Sequence, residues 1–199
     1  MPAPSRVVFV VEYYFPHVGG GEVAFQQLAE GLATHGIDVH VVTCRLPDTA
    51  PRETLHGVHI HRVNIPRVGR RHWFSLLALP QVLRLTKRET VIHTTNHNGA
   101  FPTWLVAKIR GARSVMTVHE VFGRQWSGFA GLGAARQLLF RGVEALAVNL
   151  PFDHQICGSR YTQRSLIEAY GTRWRTTSVI FWAVDNQLFD PRKQAMRHE

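Results

Sequence analysis

Cysteine is scarce. Cys44 and Cys157 are the only two in 199 residues. With no apolar leader ahead of them, they are expected to be free, buried thiols of a reducing compartment rather than a disulfide framework. Their separation fits no metal-ligand spacing. Long hydrophobic runs are missing as well. No apolar stretch approaches the ~20 residues of a membrane span, and the run Val7–Val11 behind a short polar start has a strand's length, not that of a signal peptide core. The expected location is cytoplasmic. Acidic residues are few, 14 against 23 Lys and Arg, for a net charge of +9. Such an excess calls for an anionic partner: a phosphorylated substrate, nucleic acid or anionic lipid. No nucleic-acid-binding motif accompanies the charge, so nucleic acid is set aside. Signatures of nucleophilic and metal chemistry are also lacking. There is no G-x-S-x-G elbow, and the 12 histidines include no H-E-x-x-H. Hydrolase chemistry is unsupported and no metal cofactor is expected.

What is present is an ordinary globular composition, 45% hydrophobic and 19% charged, in a chain of single-domain size. Strand-like runs alternate with helix-period segments. Arg6–Val11 is a continuous β-branched run, Glu22–His35 has helical spacing closed by Gly36, and Ile37–Thr43 is a second strand. Val58–Val63 alternates like a half-exposed edge strand. Trp73–Arg88 reads as a helix that Pro80 should kink or split. Further along come strand Thr90–Thr95, helix Ala100–Arg110, strand Arg113–His119 and helix Leu132–Val148 with Gly142 as a weak point. The series ends with strand Gln155–Ser159, a helix from Arg160 to Ala169 that Ser159 should N-cap, and strand Thr176–Phe181. Residues 1–5, the loop 45–56 and the tail after Pro191 are expected to be unstructured. The alternation predicts an α/β fold: a Rossmann-like, doubly wound, mostly parallel sheet with helices on both faces.

Three groups of residues stand out. In the first, Tyr13-Tyr14-Phe15-Pro16-His17-Val18-Gly19-Gly20-Gly21 runs straight into a helix. Glycines let a ligand approach the backbone, and a helix start offers free N–H groups and roughly half a positive charge. A tight turn with positive φ would ask for only one glycine. Gly19 to Ala24 also fits the dinucleotide pattern G-x-G-x-x-G/A, with Arg45 as a partner for a 2′-phosphate. However, the loop after Val11 is too long and the second strand ends without an acidic residue, which disfavours a nicotinamide or flavin. In the second group, His119 and Glu120 leave the fifth strand at its carboxyl end, beside Asn96 and His97 after the fourth. With strand order 3-2-1-4-5 all of these share one rim with the glycine loop. His17, Glu22, Asn96, His97 and Glu120 are candidates to bind the hydroxyls of an acceptor. In the third, Arg70, Arg71, Arg84 and Lys87 flank Trp73 and a run of leucines. That pattern suits either a core-facing helix with charged ends or one lying on an anionic membrane surface.

These motifs in their order resemble the N-terminal domains of retaining glycosyltransferases of family 4, which have the GT-B fold. The resemblance rests on Tyr14-Phe15-Pro16 with Gly19–Glu22, Leu28-Ala29 through Gly36–Thr43, Thr117–Glu120, Ile156–Thr162 and Val179–Asp185, followed by Phe189 and Pro191. It implies two Rossmann-like domains facing across a cleft, with a nucleotide-sugar donor, UDP- or GDP-linked, held mainly by the C-terminal one. Here residues 1–185 would be the acceptor-binding domain and 186–199 the start of a linker. The resemblance places Gly19, Gly20 and Gly21 near the donor's phosphates and His119, as the catalytic residue, near the transferring sugar. It implies metal-independent transfer with retention of configuration to a sugar or lipid-linked acceptor. The family reads Asn-Gly-Val-Asp where this chain has Trp182-Ala183-Val184-Asp185, an altered crossover. The residues that grip diphosphate and donor sugar would lie in a domain beyond Glu199, so residues 1–199 alone are expected to transfer little. A non-catalytic Rossmann-like binding or scaffold domain is the alternative.

Overall fold

The computed structural model describes residues 4–66, 70–129, 131–171 and 176–182. The strands are β1 (Arg6–Val10), β2 (Asp38–Cys44), β3 (Arg52–Leu55), β4 (Val58–Val63), β5 (Val91–Thr95), β6 (Arg113–Val118), β7 (His154–Cys157) and β8 (Thr177–Val179). The helices are α1 (Gly20–Thr34), α2 (Arg70–Leu77), α3 (Leu79–Leu85), α4 (Ala100–Arg110), α5 (Ala134–Asn149) and α6 (Arg160–Tyr170), with a 3-10 segment at Gly123–Gly128. One sheet holds all these strands in the order β3-β4-β2-β1-β5-β6-β7-β8. Counting only its parallel strands, it begins 3-2-1-4-5, as the sequence predicts. The β3–β4 pair is its antiparallel exception.

Successive strand residues point to opposite faces, and the two faces carry different cores. Val7, Phe9 and Val11 join Phe25 and Ala29 of α1, whereas Val8 and Val10 join Phe74, Ala78, Val82 and Val106 from α2, α3 and α4. A third cluster links α4, α5 and α6 through Ala100, Met116, Val148 and Leu166. The stripe Phe25, Ala29, Leu32, Ala33 is the predicted apolar face of α1, and Phe25 meets Phe9 edge-on at 5.6 Å.

The local signals act as expected in most places. Gly36 takes φ 78° after α1, and its N–H reaches the Ala33 carbonyl at 3.0 Å. Ser159 caps α6, its Oγ accepting from the Thr162 N–H at 3.0 Å. Pro80 splits the predicted helix, sitting in the first turn of α3 where a missing N–H costs nothing. Two expectations are corrected. Loop 45–56 contains β3, and β4 is therefore an interior strand rather than the edge. The connection is His56-Gly57, both at positive φ (49° and 81°), with Leu55 paired to Val58. That is the two-residue turn whose twist matches a hairpin. Residues 1–3, Ala183–Asp185 and the predicted linker and tail lie outside the described residues, as does the boundary at 185.

Among the described histidines five are exposed, including His17 and His97, while His40 and His93 are buried. His93 is buried between Phe9 and Phe25, its Nε2 2.8 Å from Thr117 Oγ1. His40 Nδ1 lies 3.0 Å from His61 Nε2, whose ring also meets Gln81 at 3.1 Å. Burial pushes His93 down to about 3; burial together with the neighbouring His40 pushes His61 down to about 4. Below the ordinary value of 6.5 the unfolded chain takes up protons that the folded chain refuses. Stability is therefore complete above pH 6.5 and lost as pH falls toward 4, by up to about 1.4 kcal/mol per pH unit for each such ring. Urea melts at pH 7.5, 6, 5 and 4.5 should show this decline, and the double variant His61→Gln, His93→Phe should flatten it.

Candidate functional site

A cleft of about 710 Å³ opens at the carboxyl edge of the sheet. It lies above β1, β5 and β6, where the chain's excursions diverge to opposite faces. Gly21 and Glu22 of α1 form part of one wall. Gly19 is the N-cap of α1, with extended φ of −158° and no side-chain cap to the first turn. None of Gly19, Gly20 and Gly21 has positive φ, so no tight turn accounts for them. A side chain on Gly20 would enter open space, and a Cβ on Gly21 would sit 3.5 Å from the His119 ring. The uncapped helix start thus faces outward beside the cleft. The chain's own Glu22 carboxylate folds back against Gly19 and lies 3.4 Å from His17 Nδ1. His17 stands to the side, stacked on Tyr13 at 4.6 Å.

His119 borders the cleft. Its backbone N–H donates to Asn96 Oδ1 at 3.3 Å, and Asn96 Nδ2 donates to the Glu120 carbonyl at 2.9 Å. Asn96 is buried, so its amide spans the ends of β5 and β6 and fixes where His119 and Glu120 leave the sheet. Asn96 also borders the cleft, where the sequence reading placed a ligand contact, and each end of its side chain makes a bond to the loop. His97 and Glu120 are exposed and border the cleft. The His119 ring lies under Trp182, parallel within 8° at a centroid distance of 5.1 Å, and its Nε2 is buried without a hydrogen-bond partner. Burial, reinforced by the charge of His97, lowers its pKa to about 4 despite the opposing effect of Glu22. The imidazole is therefore neutral near pH 7. Trp182 fits because Gly158 has no side chain, since a Cβ there would strike the indole.

The sequence reading missed Glu144. Its buried carboxylate accepts from Phe122 N–H (2.9 Å), Gly123 N–H (2.8 Å), Trp126 Nε1 (3.1 Å) and Tyr170 Oη (2.5 Å). These bonds fold residues 122–129 over the cleft. A lone glutamate in a helix carries no sequence signal of this role, because its donors come from two other segments, residues 122–126 and the end of α6. Cys157, buried in β7, has its thiol pushed up by burial to about 11 and is no nucleophile. Arg45 is occupied within its loop by the Thr49 carbonyl and Asn64 Oδ1.

The basic helix divides. Phe74, Ala78, Val82 and Leu85 are buried in the core, so its apolar stripe faces mainly inward, although Trp73 remains exposed. Ser75 bonds the Asn98 carbonyl beside the cleft, whereas exposed Arg84 and Lys87 precede the amino end of β5. Trp73 and the pair Arg84, Lys87 thus lie toward opposite edges of the sheet. Helix α2 begins at Arg70, but the side chains of Arg70 and Arg71 lie outside the described residues.

The fold is similar to that of sucrose-phosphate synthase from Thermosynechococcus elongatus (TM-score 0.71, 18% identity, 96% of this chain and 52% of that one). It is also similar to Anabaena HepE in complex with UDP-glucose (TM-score 0.62, 15% identity, 96% and 50%). A third similar structure is the N-terminal domain of Candida albicans trehalose-6-phosphate phosphatase (TM-score 0.63, 15% identity, 98% and 54%). The chain spans about half the length of these proteins. The architecture is that of one Rossmann-like half of a GT-B glycosyltransferase. Residues 18–188 match the model of Glycosyltransferase Family 4, and the chain belongs to that family. No curated protein matches it in sequence.

Glu144→Ala should lower unfolding stability by roughly 3 kcal/mol, because two backbone N–H groups lose their charged acceptor. Tyr170→Phe, which removes one donor, should cost about 1 kcal/mol. Urea denaturation of both variants measures the difference.

Proposed function

We propose that this domain, joined to a donor-binding half, transfers a sugar from a UDP- or GDP-sugar to a sugar or lipid-linked acceptor with retention of configuration. The observation that carries the reading is the uncapped start of α1, open to solvent through Gly20 and set beside a cleft bordered by His119. As the bond between sugar and phosphate breaks, negative charge grows on the leaving diphosphate. The first-turn N–H groups of α1 face that charge without reorganising, the electrostatic preorganisation of an oxyanion site. Glu22 must yield its place as the diphosphate arrives. His119, neutral, hydrogen-bonds the transferring sugar through its partnerless Nε2 once the Trp182 indole stacked on the ring moves aside. His97 and Glu120 bind acceptor hydroxyls from the rim. No metal is required in this scheme.

Gly20→Val tests the helix start. Its side chain enters open space, so the melting temperature of residues 1–199 should barely move, while transfer by the two-domain protein from UDP-glucose or GDP-mannose should fall at least about tenfold. Full activity in this variant would remove the phosphate role. A two-domain protein that neither binds nor consumes any sugar nucleotide would favour the non-catalytic binding domain instead. His119→Ala should reduce turnover, and the wild-type pH profile should show no His119 inflection between pH 6 and 8, because that ring titrates near 4.

Peripheral contact with an anionic membrane is a second reading, favoured by the exposure of Arg84 and Lys87. Co-sedimentation with anionic but not neutral vesicles, lost in Arg84→Ser, Lys87→Ser, is its expected outcome. Indifference to lipid charge would dispose of it.

A further inference from the structure

Helix α5 exposes apolar side chains where a helix that merely covers a sheet would be polar. Leu138 is 71% exposed, Leu139 56%, Val143 47% and Leu146 66%, while Glu144, Ala147 and Val148 are buried. At 3.6 residues per turn, Leu139, Val143 and Leu146 form one stripe. Leu139, Phe140, Val143 and Ala147 are a wall of the cleft. Leu138 and Leu146 lie beyond the crest of the helix, with Gly142 between them offering no side chain to interrupt the surface. The apolar surface therefore runs from inside the cleft, over the crest, to the outside of the domain. The opposite wall is polar, with Glu22, Asn98 and His119. Exposed Arg124 lies in the 3-10 segment of the residue 122–129 cap, and exposed Arg136 in the first turn of α5.

We infer that the acceptor is an amphiphile, a phosphate-bearing lipid whose hydrocarbon tail lies along α5. Its phosphate meets Arg124 and Arg136, and its reacting hydroxyl or phosphate oxygen reaches the polar wall. This rests on the glycosyltransfer reading for the word acceptor; the tail site itself is a property of this chain. A wholly polar acceptor would leave the α5 wall wet, at a cost of about 25 cal/mol per Å² of apolar area left in water. A flat bilayer would meet Leu138 and Leu146 outside the cleft but would not reach Leu139 within it. Continuity of the surface into the cleft therefore favours a single tail.

The test uses residues 1–199 with hexyl, octyl and decyl phosphate, each below its micelle concentration, by calorimetry. Affinity should rise on the order of threefold per added methylene. Leu139→Ser should weaken decyl phosphate at least about tenfold and Leu146→Ser several-fold, with circular dichroism unchanged because both positions are exposed. Affinity independent of tail length, or unchanged in both variants, would overturn the inference. So would binding only to phosphatidylglycerol vesicles, sensitive to Leu138→Ser but not Leu139→Ser, which would make the surface a membrane contact. Loss of decyl phosphate binding in the two-domain protein would overturn it as well, by showing that the second half covers α5. Tail-dependent binding without sugar transfer to the amphiphile in the two-domain protein would sink the glycosyltransfer reading and leave the lipid site standing.

Discussion

The right-handed crossover between parallel strands is the constraint on which this domain is built. Starting from β1, the chain moves through α1 to β2 on one side, while β5 moves through α4 to β6 on the other. Holding to one hand then forces α1 and α4 onto opposite faces, as their separate cores show. Between β1 and β5 the outgoing loops part, and a crevice at the carboxyl edge is unavoidable. Gly99 shows how tightly its floor is drawn: a Cβ there would strike the carbonyl of Val10 at the end of β1.

A crevice alone does no chemistry, and its polar groups need fixed positions. Two buried side chains supply them by bonding to backbone. Asn96 ties the ends of neighbouring strands together, and Glu144 gathers four donors into one carboxylate. Neither depends on a long, flexible charged partner. The result is a neutral imidazole at the mouth of a dipole-bearing helix, where a cation would compete with the helix for the same anion.

Much of this was legible in the order of residues. Continuous β-branched runs such as Val7–Val11 announce strands buried on both faces, and Gly36 and Ser159 are local signals whose physics needs no tertiary partner. From the strand order usual for a doubly wound sheet, the rim shared by the glycine loop and His119 could be anticipated. What escaped notice depended on partners distant in sequence. The hairpin at His56-Gly57 lacks the usual asparagine or aspartate, and β3 is too short and polar to declare itself. The bonds of Asn96 to its own loop were hidden because a polar residue at a strand end reads the same whether it faces solvent or backbone. Glu144 was invisible for the related reason that its meaning comes from Phe122, Trp126 and Tyr170. The apolar residues of α5 announce only a helix, because a pattern of hydrophobic positions does not say which of two faces is covered.

Trp182 lies three residues past the end of β8, yet its indole roofs a ring that leaves the sheet at β6. The sheet's far side and its reactive mouth are thereby mechanically joined. A shift of the backbone at Phe181 and Trp182 by the width of one aromatic ring unroofs His119, admits water to Nε2 and lifts the desolvation that keeps it uncharged. With the chain's other four tryptophans replaced, the emission of that same indole reads out whether the roof is shut.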